Sequence, residues 1–120
     1  MPSNNINRTF AMKNKYIMAH KIRKEDYPEY QVKISEYAKA LSHPARISII
    51  ELLLKSGDSC CGDIVGKLPI AQASVSQHLK DLKDAGLITA TENPPKVNYC
   101  INKENWSVAK RVFCMFFDRT

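Results

Sequence analysis

Residues 72–86 read QASVSQHLKDLKDAG, and their apolar spacing predicts an amphipathic helix that ends near Gly86. At about 100° per residue, Val75, Leu79 and Leu82 share one side and would anchor the helix to a core. The other side begins with short polar side chains, and a lysine follows: Gln72, Ser74, Ser76, Gln77 and Lys80. Short polar side chains can approach base edges and lysine suits phosphate, so this surface is predicted to face nucleic acid.

The surrounding elements favour this interpretation over that of an ordinary amphipathic surface helix. Apolar spacing and turn residues predict helices, then two strands, then a last helix: Tyr30–Leu41, Ala45–Lys55, Ser59–Lys67, Gln72–Ala85, Leu87–Glu92, Val97–Ile101 and Lys103–Phe117. Ala45–Lys55 is apolar on nearly every side and is predicted to be the central, buried helix. The order α-α-α-α-β-β-α predicts a mostly α domain with a small β-hairpin, a winged helix-turn-helix.

Length and charge set the domain organisation. The 120 residues leave room for one domain, and the net charge is +6. Residues 1–28 hold six basic and two acidic side chains, so most of the positive charge lies in an N-terminal extension. This extension is either a flexible or partly helical tail or an arm that contacts phosphate. Residues 29–120 are predicted to form the winged helix-turn-helix domain that binds DNA.

Several classes of protein are excluded by what the sequence lacks. No apolar run approaches the roughly 18–20 residues that span a bilayer, and the N-terminus does not read as a secretory signal. The sequence has no glycine-rich phosphate loop and no paired-carboxylate constellation. We therefore expect a cytoplasmic protein that is neither a membrane protein nor an enzyme.

Two stretches resemble the ArsR/SmtB family of bacterial winged helix-turn-helix repressors. Residues 40–46 read ALSHPAR, and residues 73–82 read ASVSQHLKDL, followed by AGLI at 85–88. The resemblance covers about Tyr30–Phe117. It implies a homodimer, paired through its first and last helices, that binds an inverted-repeat DNA operator and releases it on sensing an inducer. The aromatic last helix and the stripe of Tyr30, Ile34, Tyr37 and Leu41 suit such an interface.

The resemblance also implies which residues meet DNA. The predicted contacts on the helix are Gln72, Ser74, Ser76, Gln77 and His78, and Lys96 on the wing would lie near phosphate. His78 falls at the edge of the buried stripe of its helix. It either contacts phosphate or serves packing and hydrogen bonding, and both roles stay open here.

The cysteines are the candidate sensing residues. Metal-sensing members of the family carry a Cys-x-Cys pair before the recognition helix, where this chain has Ser59-Cys60-Cys61. On a helix, Cys60 and Cys61 would point about 100° apart, so one ion could bind both only with a third donor, Cys100 or Cys114. The resemblance therefore implies a thiol-directed inducer, either As(III) or another thiophilic ion, or an oxidant, and no cofactor is required.

An alternative interpretation remains for these cysteines. Free thiols are often small buried hydrophobic residues, and Cys114 in the aromatic last helix fits that role best. The chain would then be a winged-helix regulator without a small-molecule inducer, controlled by abundance or by a protein partner. The family's other metal site, built from Asp and His on the last helix, is not expected because no histidine follows His78.

Overall fold

The computed structural model describes residues 23–120, in two compact units, one ending at Val32 and one spanning Lys33–Thr120. In the first unit, the described residues include a 3-10 turn, Lys24–Asp26, in which the Arg23 amide donates to the Asp26 carboxylate at 3.2 Å. The predictions for the N-terminal extension concern mainly residues 1–22, which lie outside the described residues.

The described residues contain the helices and the hairpin in the predicted order. They are α1 (Glu29–Ala40), α2 (Pro44–Ser56), α3 (Ile64–Lys67), α4 (Gln72–Asp84), β1 (Ile88–Asn93), β2 (Lys96–Ile101) and α5 (Lys103–Phe117). Local signals set two of the helix starts. Pro44 opens α2 behind a His43 cap, and Asn102 caps α5 by accepting from the Asn105 amide at 3.1 Å. The predicted fold class is confirmed.

The core lies where α4 and the hairpin pack against α2. Val75, Leu79 and Leu82 of α4 are buried, as their spacing predicts. Fully burying one such side chain stabilises a fold by about 1.5–3 kcal/mol, so this stripe fixes the rotation of α4 about its own axis. At the end of α4, Gly86 has a φ of +83°, in the left-handed region that favours glycine, and it turns the chain into β1.

Helix α2 is less enclosed than predicted. Ile49, Ile50 and Leu53 are buried, but Ile47 and Leu54 are exposed. The helix packs against α4 and β2, and that packing leaves its remaining side open in the described part of the chain. The prediction of a helix buried on nearly every side is therefore wrong for that side.

An extended segment before α3 adds a short third pairing to the hairpin. In β1 and β2, Ile88 lies opposite Ile101 in an antiparallel register. Cys61 bridges to Tyr99, and each amide donates to the other's carbonyl at 2.9 Å. The predicted helix Ser59–Lys67 is wrong in its first half, because this pairing satisfies backbone groups that a helix start would leave without partners.

Candidate nucleic-acid interface and thiol pair

One side of α4 is open to solvent. Five of its predicted contact residues are exposed, Gln72, Ser74, Ser76, Gln77 and Lys80, whereas the sixth, His78, is half-buried. Lys96 is exposed as well, at the turn between the two strands. Because the opposite side of α4 is buried, the helix presents a continuous polar surface to any ligand that approaches it.

Two hydrogen bonds run along this surface, each one helical turn long. The Gln77 amide donates to Asp81 at 3.0 Å, and the Lys80 ammonium pairs with Asp84 at 2.8 Å. The hydrogen bond and charge of Asp84 raise the pKa of Lys80 above its ordinary value. Exposed pairs of this kind are screened by water and contribute little to stability, so a phosphate could displace the carboxylate at little cost.

Arg46 of α2 connects three helices. Its Nε donates to Nδ1 of His78 at 3.1 Å, and its Nη2 forms an ion pair with Asp81. Its Nη1 donates to the carbonyls of Lys39 at 3.2 Å and Ala40 at 3.4 Å, near the end of α1. Sequence reasoning missed this role, since the two partners on α4 lie 32 and 35 residues away.

His78 is half-buried beside this arginine. Its ring centroid lies 4.5 Å from that of His43. Burial lowers the pKa of His78 below 6.5, electrostatic interactions with the neighbouring His43 and Arg46 lower it further, and Asp81 opposes the shift. Of the two roles that the sequence left open, these contacts favour packing and hydrogen bonding over phosphate contact.

The structure brings Cys60 and Cys100 together as a disulfide, with their Cα atoms 4.7 Å apart. The strand register explains the pairing. Cys61 and Tyr99 exchange hydrogen bonds, so Cys60 and Cys100 occupy the adjacent non-hydrogen-bonded position, where Cα atoms of antiparallel strands come within about 4.5 Å.

The other two cysteines are kept apart from this pair. Cys61 is paired with Tyr99 across the bridge and is only 3% exposed, so its side chain lies in the core. Cys114 is exposed on α5. The sequence predicts that Cys60 and Cys61 act together. In the structure, Cys60 pairs with Cys100 and Cys61 is buried in the core. In the described part of the chain, no three His, Cys, Asp or Glu side chains are grouped as a metal ion would require.

These features define the class. A short helix, a turn, a polar helix on a buried stripe and a hairpin form the winged helix-turn-helix of DNA-binding proteins. The family model described as "Bacterial regulatory protein, arsR family" matches residues 43–90, which run from the cap of α2 into β1. The chain belongs to the arsR family of bacterial transcriptional regulators.

Characterised relatives agree with this family. The chain is 35% identical to the arsenical resistance operon repressor of Staphylococcus xylosus, over 59% of this chain and 67% of that protein. It is 32% identical to the transcriptional regulator YgaV of Escherichia coli, over 63% and 81%. With the repressor SmtB of Mycobacterium tuberculosis it shares 41% identity over 53% of this chain, and the match spans about half of that relative.

Solved structures agree on the fold. An ArsR-like regulator from Rhodococcus superposes with a TM-score of 0.59 at 19% identity, covering 74% of this chain and 86% of that one. The repressor BigR from Xylella fastidiosa gives a TM-score of 0.53 at 21% identity, covering 79% and 97%. None of the described helices is both long and apolar enough to cross a membrane.

Proposed function

We propose that this chain is a cytoplasmic homodimeric repressor that binds an inverted-repeat operator through α4 and releases it when Cys60 and Cys100 are oxidised. The observation that carries the proposal is the pairing of these two cysteines at the base of the wing. The bond would join β2 to the segment that leads into α3 and α4. A change at the two sulfurs therefore acts on both parts of the DNA-binding motif.

The DNA-binding part is supported by α4. Gln72, Ser74, Ser76 and Gln77 would read base edges, Lys80 and Lys96 would contact phosphate, and His78 would hold α4 through Arg46. In this arrangement Arg46 is a positioning residue. It fixes α4 against α2 and does not itself need to touch DNA.

The homodimer is supported by the end of α5. Met115, Phe116 and Phe117 are exposed in the single chain, and Phe117 is 71% exposed. An apolar cluster of this kind marks an interaction surface. Tyr37 is buried in the chain's own core, so the predicted stripe on α1 exposes less apolar surface for a dimer contact than its spacing predicts.

An oxidant fits the thiols better than a thiophilic ion does. Cys60 and Cys100 provide two sulfur donors, and Cys61 faces away from them. As(III) remains the second candidate inducer because one relative is named for arsenical resistance. It would need a third donor that the described residues do not group with this pair.

The DNA-binding part is tested by fluorescence anisotropy of the reduced full chain on an operator from its own promoter. We expect Gln77→Ala and Lys80→Ala each to weaken binding by about tenfold. We also expect affinity to fall steeply with salt, as several phosphate contacts per dimer require. The exposed residue Val65, on α3, provides a control in Val65→Ala. An affinity for DNA that changes neither with salt concentration nor in the two α4 variants would contradict the assignment of this surface to DNA.

The switch is tested with the same assay in the presence of hydrogen peroxide and, separately, arsenite. We expect peroxide to release DNA from the wild type and to leave Cys60→Ser and Cys100→Ser bound. Release by arsenite alone would identify the thiophilic ion as the inducer. If neither treatment changes binding, regulation by abundance or by a protein partner is the better interpretation.

A further inference from the structure

A cavity of about 440 Å³ lies beside the Cys60–Cys100 pair, between the end of α2, the end of β2 and the start of α5. Its lining includes both cysteines and four apolar side chains: Leu53, Leu54, Ile101 and Trp106. Small-molecule pockets typically enclose about 300–1,000 Å³ and are largely apolar. This cavity therefore has the size and the lining of a ligand site, and Cys60 and Cys100 both line it.

The charged side chains of the lining are arranged in a way that restricts the ligand. Asp58 and Lys103 both line the cavity and form an ion pair with each other. The hydrogen bond and charge of Lys103 hold the pKa of the Asp58 carboxyl below its usual range. Both side chains are largely exposed, so they lie at the solvent edge of the cavity. Because they neutralise each other, the cavity favours an uncharged, apolar molecule.

We propose that this cavity binds an uncharged organic hydroperoxide and brings its peroxide group to the Cys60 and Cys100 thiols. The inference rests on the proposed function and deepens it by naming the oxidant. An apolar organic group explains the leucine, isoleucine and tryptophan lining. The peroxide accounts for a cystine as product, because the sulfenic acid that it forms on one cysteine is displaced by the second thiol, whereas the adduct of an alkylating compound would remain on sulfur.

The reaction balances without a further reagent. One thiolate attacks the outer peroxide oxygen, an S–O bond forms as the O–O bond breaks, and the organic alcohol leaves with a proton. The second thiol then attacks the sulfenic sulfur, the S–S bond forms, and water leaves. Overall, two thiols and one hydroperoxide give one disulfide, one alcohol and one water. The short Cα distance between Cys60 and Cys100 suits the second step.

Binding can be measured apart from the chemistry. Trp106 is the single tryptophan of the chain, so its fluorescence reports on the cavity. We use the full-length Cys60→Ser, Cys100→Ser double variant and titrate it with cumyl alcohol, the unreactive product of cumene hydroperoxide. We expect a saturable change in fluorescence that is weakened about tenfold by the further change Leu54→Gln. A linear, unsaturable response would overturn the proposal.

Selectivity is measured by the rate at which the reduced wild-type chain forms the disulfide, followed by intact mass. The readout is the rate with cumene hydroperoxide divided by the rate with hydrogen peroxide. We expect Leu54→Gln to lower this ratio by about tenfold. The matched control is Ile47→Gln, on an exposed site of the same helix outside the cavity, which should leave the ratio unchanged.

The outcomes separate this inference from the proposed function. Equal ratios in the wild type and both variants would overturn the cavity as a hydroperoxide site. If hydrogen peroxide still releases DNA in that case, the thiol switch itself stands. If neither peroxide forms the Cys60–Cys100 bond or releases DNA, the switch and the cavity inference fail together.

Discussion

Arg46 holds α4 against α2, because its side chain bonds to both His78 and Asp81. The arginine side chain is 14% exposed and that of Asp81 is 33% exposed, so water screens the pair only in part. Replacing Arg46 would leave a half-buried carboxylate and an imidazole nitrogen without this donor. Losing charged hydrogen bonds in such a setting costs more than losing a surface pair.

We therefore expect Arg46→Ala to lower the free energy of unfolding by about 1–3 kcal/mol, measured by urea denaturation at fixed protein concentration. The control Lys80→Ala, which breaks an exposed pair with Asp84, should lower the free energy of unfolding much less than Arg46→Ala does. Equal effects for the two variants would show that Arg46 does not position α4.

His78 makes stability depend on pH. Its pKa lies below 6.5 in the folded chain because of burial and electrostatic interactions with the neighbouring His43 and Arg46. As pH falls through 6.5, the unfolded chain binds the proton first, so protonation favours unfolding. The contribution of His78 to stability is therefore full above pH 6.5 and is lost as the pH falls below it. Asparagine keeps an acceptor for Arg46 but does not titrate in this range.

We expect the wild type to lose stability between about pH 7 and pH 5 more steeply than His78→Asn does. Thermal unfolding of both proteins at a series of pH values measures the difference. A wild type and variant with parallel curves would mean that His78 titrates normally in the folded chain.

At the scale of elements, the extended segment before α3 assigns different roles to two adjacent cysteines. Cys61 bridges to Tyr99 and is buried, whereas Cys60 faces the cavity and pairs with Cys100. In the reduced protein, replacing Cys61 by serine would bury a hydroxyl among apolar core residues. Replacing Cys60 by serine would place the hydroxyl at a half-buried position near solvent.

We expect Cys61→Ser to destabilise the reduced protein by about 1–2 kcal/mol, while Cys60→Ser changes it by less than about 0.5 kcal/mol. The release of DNA by oxidant should be lost in Cys60→Ser and kept in Cys61→Ser. Chemical denaturation under reducing conditions and peroxide-treated DNA-binding assays measure the two effects. Loss of the oxidant response in both variants would contradict the division of roles.

An element can be predicted from sequence when the residues that determine its conformation lie within it or next to it. Helices α4 and α5 carry their apolar spacing and end signals within their own residues, so their bounds were predicted to within one residue. The Cys60–Cys61 segment owes its conformation to Tyr99, which is distant in sequence, and it was mistaken for a helix. The exposed surface of α4 follows from periodicity, whereas the Arg46 contacts and the Cys60–Cys100 pair depend on tertiary packing.

For the whole molecule, the exposed end of α5 bears on assembly. Phe116 and Phe117 are the aromatic part of its apolar cluster. Buried aromatic residues often dominate an interface, and each can be worth 2 kcal/mol or more. A glutamate at both positions would leave charge in the centre of the proposed contact.

We expect the Phe116→Glu, Phe117→Glu variant to raise the dimer dissociation constant by about 30-fold or more, measured by analytical ultracentrifugation. Val65→Glu adds a charge at another exposed apolar site, on α3, and should leave assembly unchanged. A double variant that still forms dimers like the wild type would place the interface elsewhere.

The register between Cys61 and Tyr99 also has a consequence for comparing this chain with others. This pairing places Cys60 opposite Cys100 and leaves the neighbouring Cys61 in the core. Under the proposed switch, a relative with its one cysteine at the bridged position would carry a core residue there, and a relative with its one cysteine at the position before the bridge would carry the switch thiol. The position of a cysteine relative to the bridge should therefore decide which relatives are expected to respond to thiol oxidants. The presence of a cysteine somewhere in the segment is not enough.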